Sequence, residues 1–451
     1  MSTYPKMPPP PAIDDYSIYP EAVAVAPEPA AQEPVRPVRR AKRPEFYKPF
    51  HYLLLAYLFF YCSRIPELVP YLHVGVLLQP ILLAGMIMTG TTKTIFKTDI
   101  GKVMTVFTLW VTFCVPFSTW RFGSFTTWQL AVQALLLMFF MAAFLRTAED
   151  CYRAMYSIAL GIAAIGVLSL FFGSSSLHAG DPRLGLGSKN DTLADANFLA
   201  LYLVVGLPFI YFTTTWKKGF VKLGLMLMVL PLLVSLGRTG SRMGLLSLGI
   251  GILFFMVFAN NKQRAFLILG GILCLSLAPF LVPQRILDRF TTYFQANNSA
   301  QEEAAESAAA REEMLKLGVK LTLEHPLVGV GPGEFIDAEA KEATAAGKKA
   351  AWRYTHNAYT EVSSETGIPG LIIFVLAMFY SYHGLSRYRS HFPRAIVRRA
   401  ALCIQIAVVM SAVGAFFLSI AYSGILYAIM GLSAAFQLAA SKEYQLLKAK
   451  A

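Results

Sequence analysis

The chain has 451 residues, 55% of them hydrophobic and only 15% charged, with a formal net charge of +13 and a mean hydropathy of +0.51. Soluble domains carry about 25% charged residues, so this deficit excludes an ordinary water-soluble globular protein and makes lipid the expected solvent. The positive charge fits either a nucleic-acid partner or the basic inner loops of a bacterial membrane protein. Its placement along the chain favours the second, so the expected partner is a lipid bilayer and no nucleic acid.

Residues 1–49 hold 12 of the 25 prolines and end in a basic run from Arg36 to Lys48. Such a segment cannot bury enough apolar surface to fold, which predicts a disordered cytoplasmic tail with its basic end on anionic lipid. No apolar stretch precedes Phe50, so no cleavable signal peptide is expected.

A helix needs about 20 apolar residues to cross a bilayer. Twelve candidate spans follow, near 50–65, 68–89, 101–117, 125–145, 152–173, 195–214, 219–236, 241–259, 264–282, 367–385, 398–418 and 421–440. An even number puts both termini on one side. With that side taken as the cytoplasm, 25 of the 40 Lys and Arg fall on inner segments, and every short inner loop between spans carries at least two. The expected fold is therefore an all-α polytopic membrane protein with about 12 transmembrane helices and one large helical periplasmic loop. The division is 1–49 tail, 50–282 spans one to nine, 283–366 outer loop, 367–440 spans ten to twelve and 441–451 inner tail.

In the outer loop, the composition of Gln301 to Leu323 predicts a helix ending at His325-Pro326. Gly329-Val330-Gly331-Pro332-Gly333 predicts a turn, Asp337 to Gly347 a second helix, and His356 to Thr366 a third. No strand is expected. Cys62, Cys114, Cys151, Cys274 and Cys403 are scattered through apolar runs with no CxxC pair, and the seven histidines show no ligand spacing. Neither a disulfide framework, a metal site nor a cofactor is expected, and the cysteines read as packing residues.

Four features converge on the outer face. Arg238 and Arg242 flank a very short loop, and on helical spacing they would share a face. Two like charges beside hydrocarbon persist most easily with an anion between them, and arginine forks suit phosphate. The other reading is that both snorkel to the interface. His356, in the run His356-Asn357-Ala358-Tyr359, can accept a proton near neutral pH or can serve as a capping residue, with Arg353 and Thr360 on the same helical face. Glu361 and Glu365 suit sugar hydroxyls, an arginine partner or a solvated helix face. Arg311 by itself is an ordinary surface arginine. The loop from Gly173 to Asp195, with His178, Asp181, Arg183, Lys189, Asn190 and Asp191, suits a lid or an acceptor site, although a plain solvated loop fits it better residue by residue.

The ordered blocks Gly240-Ser241-Arg242, Arg311, Glu324 to Gly333, His356-Asn357-Ala358-Tyr359 and Glu365 to Leu371 resemble the O-antigen ligase and polymerase family of bacterial membrane proteins. The motifs cover about 240–371, and the run of apolar spans extends the resemblance over 50–440. It implies a GT-C-like helical fold in the inner membrane and a metal-independent, inverting transfer of a saccharide carried on undecaprenyl diphosphate to a glycan or lipid-linked acceptor. Arg242, Arg311 and, within the doublet, Arg238 then bind diphosphate. His356 is the catalytic base, and Arg353, Asn357, Tyr359 and Glu365 are candidates for orienting the acceptor. A polymerase is expected, with an O-antigen ligase acting on lipid A–core as the alternative. A solute transporter is the rival from another class. It should place its polar groups at the membrane midplane, whereas these charges cluster at one edge.

Overall fold

The computed structural model describes residues 47–69, 74–175, 183–187, 192–284, 286 and 298–449, without the side chains of 174–175 and 298–307. The expected tail, apart from its last three residues, lies outside them, as do His178, Asp181, Lys189, Asn190 and Asp191.

The described residues form an α-helical protein. In chain order the helices are α1 (Lys48–Ser63), α2 (Ile65–Leu68), α3 (Val74–Met88), α4 (Asp99–Cys114), α5 (Arg121–Phe144), α6 (Ala148–Phe172), α7 (Ala196–Trp216), α8 (Gly219–Arg238), α9 (Arg242–Phe258) and α10 (Asn261–Leu281). They continue as α11 (Asn298–Glu324), α12 (Phe335–Ala345), α13 (Ala358–His391), α14 (Ala395–Ala415) and α15 (Gly424–Lys448). Among the described residues, nine helices are long and apolar enough to cross a membrane. Each of the twelve predicted spans overlaps a helix, but α1, α3 and α9 have only 16, 15 and 17 residues. A count of twelve therefore rests on those three short helices.

Side-chain hydrogen bonds to backbone N–H groups start several of the helices. Thr98 caps α4, Thr147 and Asp150 form a capping box on α6, Asp195 caps α7, and Asn260 with Gln263 caps α10. Between α1 and α2, Arg64 takes the left-handed conformation (φ 52°) and donates to Thr192 Oγ1 at 2.9 Å. One contiguous apolar core joins α1, α4 to α7 and α13 to α15, and α7 and α15 are buried over most of their length. Phe220, Leu275 and Phe280 point outward. In water so much exposed apolar surface is a liability, whereas in a bilayer it is the lipid-facing belt. α10 has no buried residue and packs only weakly on α8, so Cys274 faces outward while the other four cysteines are buried.

Two boundaries and one element differ from expectation. α15 runs on to Lys448, where an inner tail was expected from 441. The third loop helix begins at Ala358, two residues after its expected start, and runs to a kink at Gly367, where the next apolar span was expected to begin. The loop after α6 carries a short antiparallel pair, β1 (Ser174–Ser175) with β2 (Leu184–Gly185). Two-residue strands leave no alternation to read in a sequence.

The outer segment has its own small core of Met314, Leu321, Val330, Phe335 and Ala338, which joins α11, the glycine turn and α12. α11 lies along the outer part of α13: Thr322 and Ser363 share a hydroxyl hydrogen bond of 2.8 Å. The turn is stitched to the same stretch. Val330 N–H donates to Ser364 O (2.9 Å), Gly331 N–H to Glu365 O (3.0 Å), and Ile368 N–H to Pro326 O (2.8 Å). Gly329 and Gly367 have positive φ, and a Cβ on either would collide with the main chain of the other segment. α13 breaks at Gly367 (φ 74°), so its first turns belong to the outer segment and the remainder is membrane helix.

Candidate functional site

Ser241 explains the local geometry of the arginine doublet. Its hydroxyl accepts from Gly244 N–H (3.2 Å), which caps α9, and donates to Asn197 Oδ1 (2.9 Å) on α7. Ser241 is 2% exposed. Gly240, at φ 58°, lets the chain reverse in the three residues between α8 and α9. Arg238 and Arg242 therefore do not share a helical face. Arg238 ends α8, where the helix dipole favours a cation, while Arg242 opens α9, where the dipole opposes one. A guanidinium added to a helix N-terminus makes that end doubly suited to an anion.

Arg183 follows from the β-hairpin. Its Cγ and Cδ lie 3.4 and 3.6 Å from where a Cβ on Gly240 would stand. Arg311 projects from α11 into the same region. Crowding by surrounding protein holds its pKa below the usual arginine range, with Arg183 and Arg242 adding to the effect and Asp195 opposing it. Of the doublet it is Arg242 that bears on Arg311.

His356 lies in the same charge cluster. Its pKa is lowered, first by burial and then by Arg311 and Arg353, with Asp195 pulling the other way. Burial and the neighbouring guanidinium groups thus favour the neutral imidazole, the form that can accept a proton. His356 precedes α13 and has a left-handed backbone (φ 50°), so it shares no helical face with Arg353 and Thr360. Nor does it cap the helix. Asn357 does so, its Oδ1 accepting from Tyr359 N–H (2.9 Å) and Thr360 N–H (3.1 Å).

The remaining expected residues have local partners. Tyr359 donates to Ala412 O (3.1 Å) and packs on Phe374 and Phe416. Arg353 is exposed. Glu365, 3% exposed, accepts from Gly333 N–H (2.7 Å) and Phe335 N–H (3.4 Å), so its carboxylate holds the glycine turn. Glu361, 8% exposed, accepts from Ala421 N–H (3.0 Å). The pair is not a solvated helix face.

Sequence reasoning missed two acidic residues. Asp195 read only as the end of a polar loop, and its one signal was a helix-start pattern. Glu334, beside Gly123 and Ser124 of α5, is 1% exposed, and burial with nearby Asp337 pushes its pKa up to about 7. Two cavities of about 250 Å³ lie beside Pro66, Val74 and Gln133 and beside Thr112 and Trp128, and neither is lined by Arg242, Arg311 or His356.

Residues 227–375 match the family model described as O-antigen ligase. The chain carries an O-antigen ligase family domain. The match begins within α8 and ends within α13, so it contains Arg238, Arg242, Arg311, His356 and Glu365, while Arg183 and Asp195 lie outside it. No curated protein matches the chain. The O-antigen ligase match gives the protein a role of ligase or polymerase type in polysaccharide assembly, as a multi-pass membrane protein.

Proposed function

We propose that the protein is a membrane glycosyltransferase that moves a saccharide from undecaprenyl diphosphate to an acceptor hydroxyl at the periplasmic face of a bacterial inner membrane, with both termini cytoplasmic. The observation that carries this reading is the convergence of Arg183, Arg242 and Arg311 with Asp195 and His356.

The chemistry follows from the residue types. His356 takes the proton of the acceptor hydroxyl as its oxygen attacks the anomeric carbon. The bond from that carbon to the phosphate oxygen breaks, and undecaprenyl diphosphate leaves. Charge develops on the departing diphosphate, where preplaced guanidinium groups stabilise it without reorganising. Attack opposite the leaving group inverts the anomeric centre. Arg242 and Arg311 hold the diphosphate, and Arg183 extends the clamp. Arg353 is open to solvent near His356 and is a candidate for orienting the acceptor, Asn357 and Tyr359 hold the start of α13 beside the imidazole, and Glu365 holds the glycine turn.

With another lipid-linked repeat unit as acceptor, the product is a polymer. The description of the matched family favours a second reading, transfer to lipid A–core. Product analysis separates them: a ladder of chain lengths on undecaprenyl diphosphate marks a polymerase, and glycan on lipid A–core marks a ligase. In cells, His356→Ala and Arg242→Ala are expected to insert normally, abolish glycan output and cause undecaprenyl-linked saccharide to accumulate. Normal output from both variants refutes the transferase reading.

A further inference from the structure

His356 has a left-handed backbone (φ 50°). That conformation is uncommon outside glycine, although His, Asn and Asp adopt it more readily than other residues, and it is held in place by its surroundings. The restraint comes from the link between α14 and α15. His356 N–H donates to Ser419 Oγ (3.1 Å), and Ser419 Oγ lies 2.7 Å from Thr355 Oγ1. The Thr355 hydroxyl donates to Asn357 O (3.0 Å) while its oxygen accepts from Asn357 N–H (3.3 Å). Either hydroxyl of the Thr355–Ser419 pair can supply the shared proton, and in both cases Ser419 Oγ keeps a lone pair to receive His356 N–H. Thr355 is 2% exposed, so these partners have no ready substitute in water. The link is itself fixed, because Ala421 N–H donates to the buried Glu361 (3.0 Å) and Ser423 N–H to Ile420 O (2.9 Å). Ser419 lies outside the matched segment 227–375, and no sequence motif pointed to it.

We propose that Ser419 is a positioning residue that holds His356 in its left-handed backbone and so aims the imidazole at the acceptor. This rests on the transferase reading above. The circuit acts through backbone and hydroxyl groups and leaves the diphosphate clamp untouched.

The test uses full-length protein in proteoliposomes with undecaprenyl-diphosphate-linked oligosaccharide, read as release of undecaprenyl diphosphate. Ser419→Ala is expected to lower kcat about 10- to 100-fold, the scale of a misaimed catalytic group, with donor KM unchanged. Ser419→Thr, which keeps the hydroxyl, restores turnover. Thr355→Val gives the same kcat loss at nearly constant volume, and it carries the test if Ser419→Ala fails to insert. Wild-type kcat in both Ser419→Ala and Thr355→Val beside an inactive His356→Ala overturns the positioning role and leaves the transferase standing. A kcat loss in Ser419→Ala that Ser419→Thr fails to restore also overturns it, as a merely structural effect. Wild-type turnover by His356→Ala overturns both readings.

Discussion

Glu365 separates scaffolding from substrate contact. Its two oxygens each receive a backbone N–H, from Gly333 and Phe335, in a site where it is 3% exposed. A hydrogen bond contributes about 0.5–1.5 kcal/mol net, and a buried donor left alone costs about 1–3 kcal/mol. The Phe335 contact, at 3.4 Å, is long and belongs at the weak end. Glu365→Ala should therefore destabilise the protein by about 2–4 kcal/mol. Glu365→Gln should be nearly as costly, because its amide NH2 must face one of the two N–H donors. The assay is reversible unfolding of the detergent-solubilised protein, followed by tryptophan fluorescence and paired with donor KM. Both variants should unfold at milder conditions than wild type, with donor KM unchanged and apparent kcat falling only as far as folded protein is lost. If Glu365→Gln unfolds like wild type while KM for the donor rises several-fold, the carboxylate touches substrate and the scaffolding argument fails.

The acidic limb of the pH–rate profile should respond to two substitutions with opposite sign. The base acts in its neutral form, so turnover rises with pH through the His356 pKa, which burial holds below its ordinary value. Arg353→Gln removes a cation that disfavours imidazolium, raises that pKa and moves the limb to higher pH. Asp195→Asn removes the opposing anion and moves the limb to lower pH, while asparagine still caps α7. Shifts in the same direction sink this account of the charge cluster. The doublet should also divide: Arg242→Ala should raise donor KM and lower kcat, whereas Arg238→Ala should leave kcat within a few-fold of wild type. Equal losses in titrations of purified protein show that both arginines grip the diphosphate.

The membrane helices were legible because lipid leaves apolar runs uninterrupted. Their ends were less so, since α13 carries its helix outward past the apolar stretch as far as Ala358. The loop helices showed in composition, and the glycine turn in residue type. Pairwise geometry was harder. Spacing of four put Arg238 and Arg242 on one face only if no helix ended between them, and Gly240 ends it. The same spacing made Glu361 and Glu365 look solvated, because a sequence does not reveal that the glycine turn and the α14–α15 link cover them. Asp195 and Ser419 sit 161 and 63 positions from His356, and Arg183 sits 128 positions from Arg311, and nothing local marks such distant partners.

The stitching between the glycine turn and the first turns of α13 has a mechanical consequence. Arg311 is carried by α11, which leads into that turn, and His356 immediately precedes α13. The proposed phosphate anchor Arg311 and the proposed base His356 thus sit on segments stitched to each other, whereas Arg242 opens a helix of the bundle. Loosening that stitching moves the proposed anchor and base together, because the same main-chain bonds position both.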